Sequence, residues 1–553
     1  MPPVSPSATS SLPRITRTTT SRADTPETIP GINTPVQWSV SKISTPSAVS
    51  TLPTVGFISL GCPKNLVDSE VMMGLLDRAG ARLTNNPEDA EILVVNTCSF
   101  IDSAKQESVN TILEMVQHKT NGTAKRLIVA GCLVERYRDE IQKNIPEVDA
   151  VVGTGELEAI LAAAGLSMAP PTIATSPFNI LTTSEIAEGE LIARAHSAVH
   201  KHSRPEGDLR EEQGRFSREH WDGAIASLPN YLYSDVTPRI LTTPKSSAYI
   251  KIAEGCDHPC GFCIIPQLRG KFRSRRMPSV IAEAENLVKQ GVREITLIGQ
   301  DTTCYGEDLG LKDGLATLLE ALAGIEGLKW LRFLYAYPNK VTTKLLETIA
   351  RHDNIAKYLD VPLQHASPAV LKRMKRGGSG EIFLKMIEKA RSIVPNLVLR
   401  TTFIVGFPGE SDADFALLED FIREAKIDWL GAFPYSDEEG SLAFDLDSKV
   451  PKRTIESRRK RLMKLQQKIS ATRQSQWIGQ EFDLLVEGVS DEHDLLWQGR
   501  TLMHAPEIDG KVLINDFGTE ADGTPRDTLV PGTFYRCQIT ESHHYDVVAR
   551  ILE

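Results

Sequence analysis

A regular alternation of short apolar runs and amphipathic stretches over residues 248–434 constrains the fold of this chain more than any other feature. The apolar runs have the length and composition of strands, and the stretches between them are typical of helices. The six predicted strands are residues 248–253, 294–299, 331–336, 358–363, 397–405 and 429–434. Repeated β/α units build parallel sheets covered by helices, and six of them predict a partial (β/α)6 version of the eight-unit TIM-type barrel.

A second alternation, over residues 55–164, predicts a separate N-terminal domain. Its apolar runs at 55–60, 91–95, 127–130 and 150–152 alternate with helical stretches. This is the pattern of a Rossmann-like parallel sheet that is covered by helices on both faces.

The chain continues after the barrel with a predicted long helix at 454–477 and with short alternating runs over 481–553. Gly, Pro and Asp separate these runs, which predicts a small antiparallel β-barrel. Because 553 residues are too many for one hydrophobic core, we expect an α/β protein of several domains. Its expected segments are a disordered Ser/Thr/Pro-rich tail (1–52), the N-terminal domain (53–165), an insertion and linker (166–243), the barrel with its linker helix (244–476) and the β-barrel (477–553).

Composition narrows the cellular setting. No apolar run approaches the roughly 18 residues that a membrane-spanning helix needs, so a soluble protein without membrane contact is expected. The chain has eight cysteines, too few for a disulfide scaffold, and no signal-peptide core precedes them. We therefore expect a reducing, cytoplasmic location, where clustered cysteines usually bind metal or take part in chemistry.

Cys256, Cys260 and Cys263 directly follow the first barrel strand, in the sequence EGCDHPCGFC. Thiolates are soft ligands that favour zinc or an iron–sulfur cluster. Structural zinc usually has four protein ligands, and the nearby His258 is too close to two of the cysteines for the usual spacing. The pattern therefore favours a 4Fe-4S cluster held by three cysteines, which leaves one iron open.

Three other cysteines, Cys62, Cys98 and Cys132, each lie in the loop that leaves a predicted strand of the N-terminal domain. The C-terminal ends of parallel strands meet at one edge of a sheet, so we expect these thiols to converge. They would then hold a second cluster with an open iron that can take an exogenous sulfur species. The alternative is three unrelated half-buried cysteines, since free cysteine is often buried. Of the remaining two, Cys304 is expected to be a bystander and Cys537 a core residue.

The CxxxCxxC spacing, the aromatic Phe262 and the barrel context together resemble the radical S-adenosylmethionine superfamily. With the second cysteine set and the terminal β-barrel, the chain resembles the methylthiotransferase family over about residues 54–165 and 230–553. The motifs that carry this resemblance are SLGCPKNLVDSE (59–70), AYIKIAEGC (248–256), IIPQLRGKFRSRR (264–276), VPLQHAS (361–367) and APEIDG (505–510). They are similar to the branch that modifies an aspartate of small-subunit ribosomal protein S-twelve. The MiaB-type branch, which modifies an adenosine of transfer RNA, has a GCQMN-type sequence where this chain has GCPKN.

The resemblance implies two 4Fe-4S clusters. The auxiliary cluster would be held by Cys62, Cys98 and Cys132, and the radical-generating cluster by the CxxxCxxC cysteines. The resemblance also implies that the terminal barrel is TRAM-like (OB-like). It also implies that S-adenosylmethionine is both methyl donor and radical source, with a flavodoxin or ferredoxin as electron donor. One S-adenosylmethionine methylates a sulfur species at the auxiliary cluster. A second is cleaved to a radical that takes hydrogen from the aspartate β-carbon, which captures the methylthio group. A radical is needed because this C–H bond is too weak an acid for a side-chain base near neutral pH.

Residues that contact S-adenosylmethionine are expected near the cluster and at the barrel mouth. Phe262 lies within the cysteine motif, Gln300 directly follows the C-terminal end of the second predicted barrel strand, and Arg400 lies on the fifth. One arginine of the basic run 269–276 is a further candidate, because a guanidinium group suits carboxylates.

The charge distribution bears on the choice of substrate. The whole chain has a net charge of −10, and residues 481–553 alone hold 15 acidic and five basic residues. An acidic module repels phosphates and attracts a basic protein, which favours a basic ribosomal protein, either free or on the small subunit, over transfer RNA. The basic stretch 452–473, with nine Lys or Arg and one acid, points instead to a solvated helix face or to a contact with ribosomal RNA.

Two other functions remain open at the level of sequence. One is the transfer-RNA methylthiotransferase, with the same chemistry and another substrate. The other is a non-catalytic protein that uses two clusters for electron transfer or structure. Clusters with an open iron disfavour the latter, because electron carriers normally keep all four irons ligated.

Overall fold

The computed structural model describes residues 52–167, 228–520 and 522–552, and the elements below belong to one unit. The predicted tail, apart from Leu52, and residues 168–227 of the predicted insertion lie outside the described residues. Of the helices that the structure describes, none is long and apolar enough to cross a membrane.

The N-terminal domain is a parallel five-stranded sheet in the order β2–β1–β3–β4–β5. Its strands are β1 (Thr54–Ser59), β2 (Arg82–Thr84), β3 (Ile92–Thr97), β4 (Arg126–Gly131) and β5 (Ala150–Val152). Its helices are α1 (Pro63–Arg78), α2 (Asp102–Asn121), α3 (Cys132–Asn144) and α4 (Ile160–Ala164). Ile92 and Val94 pack in the cluster that contains α1, whereas Leu93 and Val95 pack in the cluster that contains α2. Helices thus cover both faces, which confirms the Rossmann-like prediction.

Six parallel strands follow in two hydrogen-bonded groups of three, β6–β9–β10 and β11–β12–β13. They are β6 (Ser247–Lys251), β9 (Glu294–Ile298), β10 (Trp330–Phe333), β11 (Tyr358–Asp360), β12 (Val398–Val405) and β13 (Trp429–Pro434). A parallel bridge between Leu331 and Ile355 joins the two groups. The predicted partial (β/α)6 barrel is therefore present.

Helices surround this barrel. They are α5 (Ile265–Arg269), α6 (Met277–Lys289), α7 (Gly314–Ala323), α8 (Thr343–Arg351), α9 (Pro368–Arg373), α10 (Gly380–Ile393) and α11 (Asp412–Ala425). Side chains alternate along the strands: Ile250 and Leu297 pack in the same core as Val280 of α6, while Tyr249 and Lys251 lie on the opposite face of β6. A two-stranded ribbon of β7 (Ala253–Glu254) and β8 (Arg273–Ser274) spans the base of the cysteine loop.

The long helix α12 (Lys452–Ser475) leads to a closed five-stranded barrel in the order β14–β15–β16–β18–β17. Its strands are β14 (Glu481–Val489), β15 (Trp497–Arg500), β16 (Val512–Asp516), β17 (Phe534–Ser542) and β18 (Val547–Ile551). The predicted antiparallel barrel is confirmed with one difference, because β16 and β18 pair in parallel to close it. The sequence pattern misses β15, since Trp497 is its only large apolar residue.

Candidate active site at the domain junction

Cys62, Cys98 and Cys132 come together at the C-terminal edge of the N-terminal sheet. Cys62 is the N-cap of α1, and Cys132 is the first residue of α3. A Cβ atom on Gly61 would lie 2.8 Å from the Cβ atom of Cys98, so the loop before Cys62 touches Cys98 directly. The convergence expected from the sequence is therefore present, and two of the thiols lie at helix N-termini, where negative charge is stabilised.

Local hydrogen bonds fix this arrangement. Ser108 of α2 accepts a hydrogen bond from the backbone N–H of Cys98 (3.0 Å), and its hydroxyl donates to the Cys98 carbonyl (2.8 Å). The Ser99 hydroxyl donates to the carbonyl of Cys132 (2.9 Å). Gly131 has φ +94°, and a Cβ atom there would lie 2.3 Å from Asn96 Oδ1. The strand-to-helix turn before Cys132 therefore requires glycine.

The radical-site cysteines lie on the loop between β7 and α5. Cys256 N–H donates to the Gly270 carbonyl (3.2 Å), and Gly261 N–H donates to the Met374 carbonyl (2.8 Å). Gly255 has φ +81°, and a Cβ atom there would lie 2.1 Å from the Lys271 carbonyl oxygen. Both ends of the loop are thus tied to the barrel.

The thiols of each triplet are neighbours but are too far apart for one ion. Thiolates on a single zinc lie about 3.8 Å apart, because Zn–S bonds are about 2.3 Å long and tetrahedrally arranged. In the described part of the chain, only His258, Asp301 and Cys304 place three possible ligand atoms within 4.8 Å of one another. The spacing in both triplets favours a larger iron–sulfur cluster.

The electrostatics of the thiols fit the same conclusion. Burial raises the pKa of Cys98 to about 12, and the nearby charges of Cys132 and Cys62 raise it further. Burial, with the charge of Cys260, also raises the pKa of Cys256 and of Cys263 to about 12. Free thiols in these positions stay protonated at neutral pH, so a metal must displace the protons when these cysteines become ligands.

The two triplets face each other. Ile264, which follows Cys263 in the chain, packs with Leu268 against Cys132 of the N-terminal domain in one buried cluster. The neighbouring Arg269 donates to the Cys132 sulfur (3.4 Å) and forms a buried ion pair with Asp68 of α1. Cys132 and the loop that carries Cys256, Cys260 and Cys263 therefore meet at one junction between the domains.

A loop over residues 435–448, here named the strap, spans this junction. The Glu438 carboxylate, of which only 2% is exposed, pairs with Lys105 (2.9 Å) and Arg136 (2.8 Å) of the N-terminal domain. At its other end, Ala443 N–H donates to the carbonyl of Gly261 in the radical-site loop (2.7 Å). The strap thus ties the auxiliary domain to the radical-site loop.

Two of the predicted contacts to S-adenosylmethionine lie near the radical site. Phe262 is half-buried and packs against the cluster that contains Met374 and Phe407. The Gln300 amide donates to Glu254 (2.5 Å), and its buried Oε1 has no hydrogen-bond partner in the structure. A buried acceptor without a donor is costly, and a donor group on a bound ligand would satisfy it. Both residues remain predicted ligands.

Arg400 lies elsewhere. It is the third residue of β12, near the start of the strand, and it pairs with Asp360 (3.0 Å) and with Asp509 of the C-terminal barrel (3.4 Å). Its guanidinium group therefore joins two domains, and its contact with S-adenosylmethionine remains a prediction. In the basic run, Arg275 pairs with Glu283, and Arg269 is the arginine that reaches the site.

Sequence reasoning missed several neighbours of the radical site. Arg376 donates to the Cys260 sulfur (3.3 Å), and its guanidinium group lies 4.6 Å from the centre of the Tyr337 ring. The His258 ring stacks on the same tyrosine at 3.9 Å and lies 2.6 Å from Asp301. Cys304 donates to that carboxylate (3.1 Å), so it lies beside the radical-site loop. Arg376 stands in the sequence MKRGG, which contains no motif that would indicate a contact with a cysteine sulfur.

Comparisons with known proteins agree with the architecture. Residues 54–153 match the family described as "Uncharacterized protein family UPF0004". Residues 250–422 match the radical SAM superfamily, and residues 478–552 match the TRAM domain. The match over the barrel shows that this is a radical S-adenosylmethionine fold, which implies one 4Fe-4S cluster and S-adenosylmethionine as cofactors.

Curated relatives match nearly the whole chain. A protein of Koribacter versatilis named ribosomal protein uS12 methylthiotransferase RimO is 65% identical over 93% of this chain and 99% of its own length. A Solibacter usitatus protein of the same name is 55% identical over 90% of this chain and 94% of its own length. A third, from Desulforamulus reducens, is 41% identical over 91% of this chain and its own full length. The chain therefore belongs to the RimO family of radical S-adenosylmethionine methylthiotransferases.

Proposed function

We propose that this enzyme adds a methylthio group to the β-carbon of an aspartate in ribosomal protein uS12. The observation that carries the proposal is the contact between Ile264, next to Cys263, and Cys132. This contact supports the proposal because the loop that carries Cys256, Cys260 and Cys263 then meets Cys132 of the N-terminal domain. The curated relatives are named for this activity.

In this proposal Cys62, Cys98 and Cys132 hold the auxiliary 4Fe-4S cluster, and Cys256, Cys260 and Cys263 hold the other. When bound, the clusters and S-adenosylmethionine supply the electrons, the radical and the methyl group, and an exogenous sulfur species supplies the sulfur atom. Three thiols per cluster leave one iron free for S-adenosylmethionine or for sulfur. The two open positions would share the junction between the domains.

The protein contributes position and exclusion of water. Cys132, Ile264 and Leu268 are buried together, and the strap is fixed across the junction through Glu438. A site enclosed in this way protects a reactive radical from side reactions with solvent. Gln300, with its buried free acceptor, is the proposed polar contact to S-adenosylmethionine.

Charge supports a basic protein as the substrate. The C-terminal barrel has a large excess of acidic residues, and several of its few cations are already paired: Arg500 with Glu294 and Glu487, and Arg536 with Glu481 and Asp483. An acidic surface of this kind attracts a basic ribosomal protein and repels RNA phosphates.

The basic helix α12 is less available to RNA than its composition indicates. Arg458 pairs with Glu410 and Asp412, and Arg461 pairs with Glu419. Arg473 pairs with Asp428, and Arg459 pairs with Glu456 on the same helix. Much of the positive charge is therefore neutralised within the protein, which favours the ribosomal protein over transfer RNA.

The electron donor in this proposal is a flavodoxin or a ferredoxin, and the location is the cytoplasm. The described cysteines are free thiols without disulfide bonds, which supports a reducing compartment. Small acidic electron carriers are one-electron donors of the kind that a 4Fe-4S cluster accepts.

The test is a reaction with purified substrates. The protein is reconstituted with iron and sulfide and incubated with S-adenosylmethionine, a reductant and either uS12 or transfer RNA, and both are then analysed by mass spectrometry. The proposal predicts a methylthio mass gain on one aspartate of uS12. A mass gain on transfer RNA alone would overturn the choice of substrate.

A cysteine variant separates the two sites. Replacing Cys62, Cys98 and Cys132 together by Ala should abolish the methylthio product but leave cleavage of S-adenosylmethionine. Cys537, buried in the C-terminal barrel, provides the matched control, because Cys537→Ala should retain both activities. Full methylthio transfer by the triple variant would contradict the assignment of the auxiliary site.

A further inference from the structure

Each cysteine triplet has one arginine bound to one of its sulfur atoms. Arg269 donates from Nη2 to Cys132 Sγ (3.4 Å) in the auxiliary site, and Arg376 donates from Nη1 to Cys260 Sγ (3.3 Å) in the radical site. The two arginines come from different elements, the end of α5 and the loop after α9. The same contact therefore occurs once in each site.

We propose that Arg269 sets the reduction potential of the auxiliary cluster and that Arg376 sets that of the radical-generating cluster. This inference rests on the proposed function. Reduction adds negative charge to a cluster, and a fixed positive charge with a hydrogen bond to a ligand sulfur favours the reduced state. Arginine suits this role because its guanidinium group does not lose its proton in proteins.

Arg269 is held rigidly for this purpose. Its side chain is 3% exposed, and it pairs with Asp68 and lies 3.4 Å from a Glu254 carboxylate oxygen. It also donates to Asn65 Oδ1 (3.1 Å), on the helix that begins next to Cys62. With four polar partners on both domains, the guanidinium group keeps one orientation toward the Cys132 sulfur.

Arg376 is held by different contacts. It donates to the Pro362 carbonyl (2.8 Å) and lies over the Tyr337 ring, on which the His258 ring of the radical-site loop also stacks. Among the described residues, Arg376 forms no ion pair with a carboxylate. Arg269, in contrast, shares its charge with Asp68 and Glu254.

The two arginines provide matched controls for each other. The measurements use redox titration of the reconstituted full-length chain, monitored by electron paramagnetic resonance. Each potential is read in a background that keeps one cluster, with either the auxiliary or the radical-site cysteines replaced by Ala. Arg376→Gln should lower the reduction equilibrium constant of the radical-generating cluster about tenfold, or about 59 mV for one electron, and leave the auxiliary cluster unchanged.

Arg269→Gln should lower the potential of the auxiliary cluster and leave that of the radical-generating cluster unchanged. Because this change removes one of the two cations that pair with the buried Asp68, the double variant D68N/R269Q restores the charge balance and provides a second measurement if the single variant does not fold. The auxiliary potential should be lower in R269Q than in wild type, and lower in D68N/R269Q than in D68N. Arg376→Lys, which keeps the charge, should recover part of the radical-site potential.

The outcomes are distinct. Unchanged reduction potentials in Arg376→Gln and in a folded Arg269 variant would overturn the inference. Equal shifts in the reduction potentials of both clusters in each variant would also overturn it, because they would indicate a general structural effect. If the chain with both arginines intact forms no 4Fe-4S signal in either cysteine background, the proposed function itself fails.

Discussion

Lys251 of the barrel donates a hydrogen bond to Asp68 of the N-terminal domain, although 183 residues separate them in the chain. Both side chains are almost fully buried, and Asp68 also pairs with Arg269. A carboxylate between two cations from another domain fixes the position of α1, and therefore of Cys62, relative to the barrel. This ion cluster is one of the buried polar contacts that join the N-terminal domain to the barrel.

Asp68→Ala should lower the free energy of unfolding by about 3 kcal/mol, because the buried cations Lys251 and Arg269 then share the single carboxylate of Glu254. Asp77, exposed on the same helix, is the matched control, and Asp77→Ala should change stability by less than about 0.5 kcal/mol. Chemical denaturation of the chain without clusters measures both. Equal stability of the two variants would show that the ion cluster contributes little.

Gly61→Ala should remove the auxiliary cluster selectively. The glycine has φ +92°, and an added Cβ atom would lie 2.8 Å from that of Cys98, so the thiol must move. Gly291 has a similar φ of +105° but no atom within 4 Å of an added Cβ, so Gly291→Ala introduces the backbone strain alone. Iron analysis should show about half the wild-type iron in the first variant and nearly all of it in the second. Full iron content in Gly61→Ala would contradict the proposed ligand set.

The sequence predicts the parts of this structure that local patterns determine. Strand β3 is buried throughout and apolar over residues 92–95, since both its faces are covered, and the cysteine that follows it lies at the sheet edge that parallel topology requires. The convergence of Cys62, Cys98 and Cys132 follows from this topology alone. The sequence pattern does not predict strand β2, because its three residues contain a single apolar side chain, Leu83.

Contacts between distant segments have no such pattern. Nothing in the sequence around Lys251 indicates a partner in α1, and Arg376 follows a short helix in a loop of ordinary composition. Arg400 shows a second limit: its strand was predictable, but its contacts depend on its position along that strand. Near the start of β12, it faces Asp509 of the C-terminal barrel.

Glu438→Gln should loosen the strap. The substitution removes the charge that binds Lys105 and Arg136, and it leaves both cations without their buried partner. Hydrogen exchange of residues 435–448 should become faster, and methylthio transfer should fall. The neighbouring Glu439 is exposed, so Glu439→Gln provides the control and should leave exchange unchanged. Unaltered exchange in Glu438→Gln would show that the strap is held by its other contacts.

His504 should make the stability of the protein depend on pH. It is fully buried where the C-terminal barrel meets the base of the (β/α)6 barrel, between Trp429 and Trp477. Burial, together with the charges of Arg500 and Arg332, lowers the pKa of His504 to about 3. In the unfolded chain histidine titrates near pH 6.5, so only the unfolded state takes up this proton as the pH falls from about 6.5 toward 3. Stability from this residue is therefore complete above pH 6.5 and is lost below it.

Between pH 7.5 and 5.5, His504 should account for a loss of about 1.4 kcal/mol in the free energy of unfolding. His504→Gln removes the titrating group, so its stability, although lower overall, should fall by that much less over the same interval. His544 is exposed in the same domain, and His544→Gln should keep the wild-type pH dependence. Urea denaturation at the two pH values measures all three proteins. If wild type and His504→Gln lose equal stability, His504 is already protonated in the folded protein, and a counter-charge must reach it inside the domain interface.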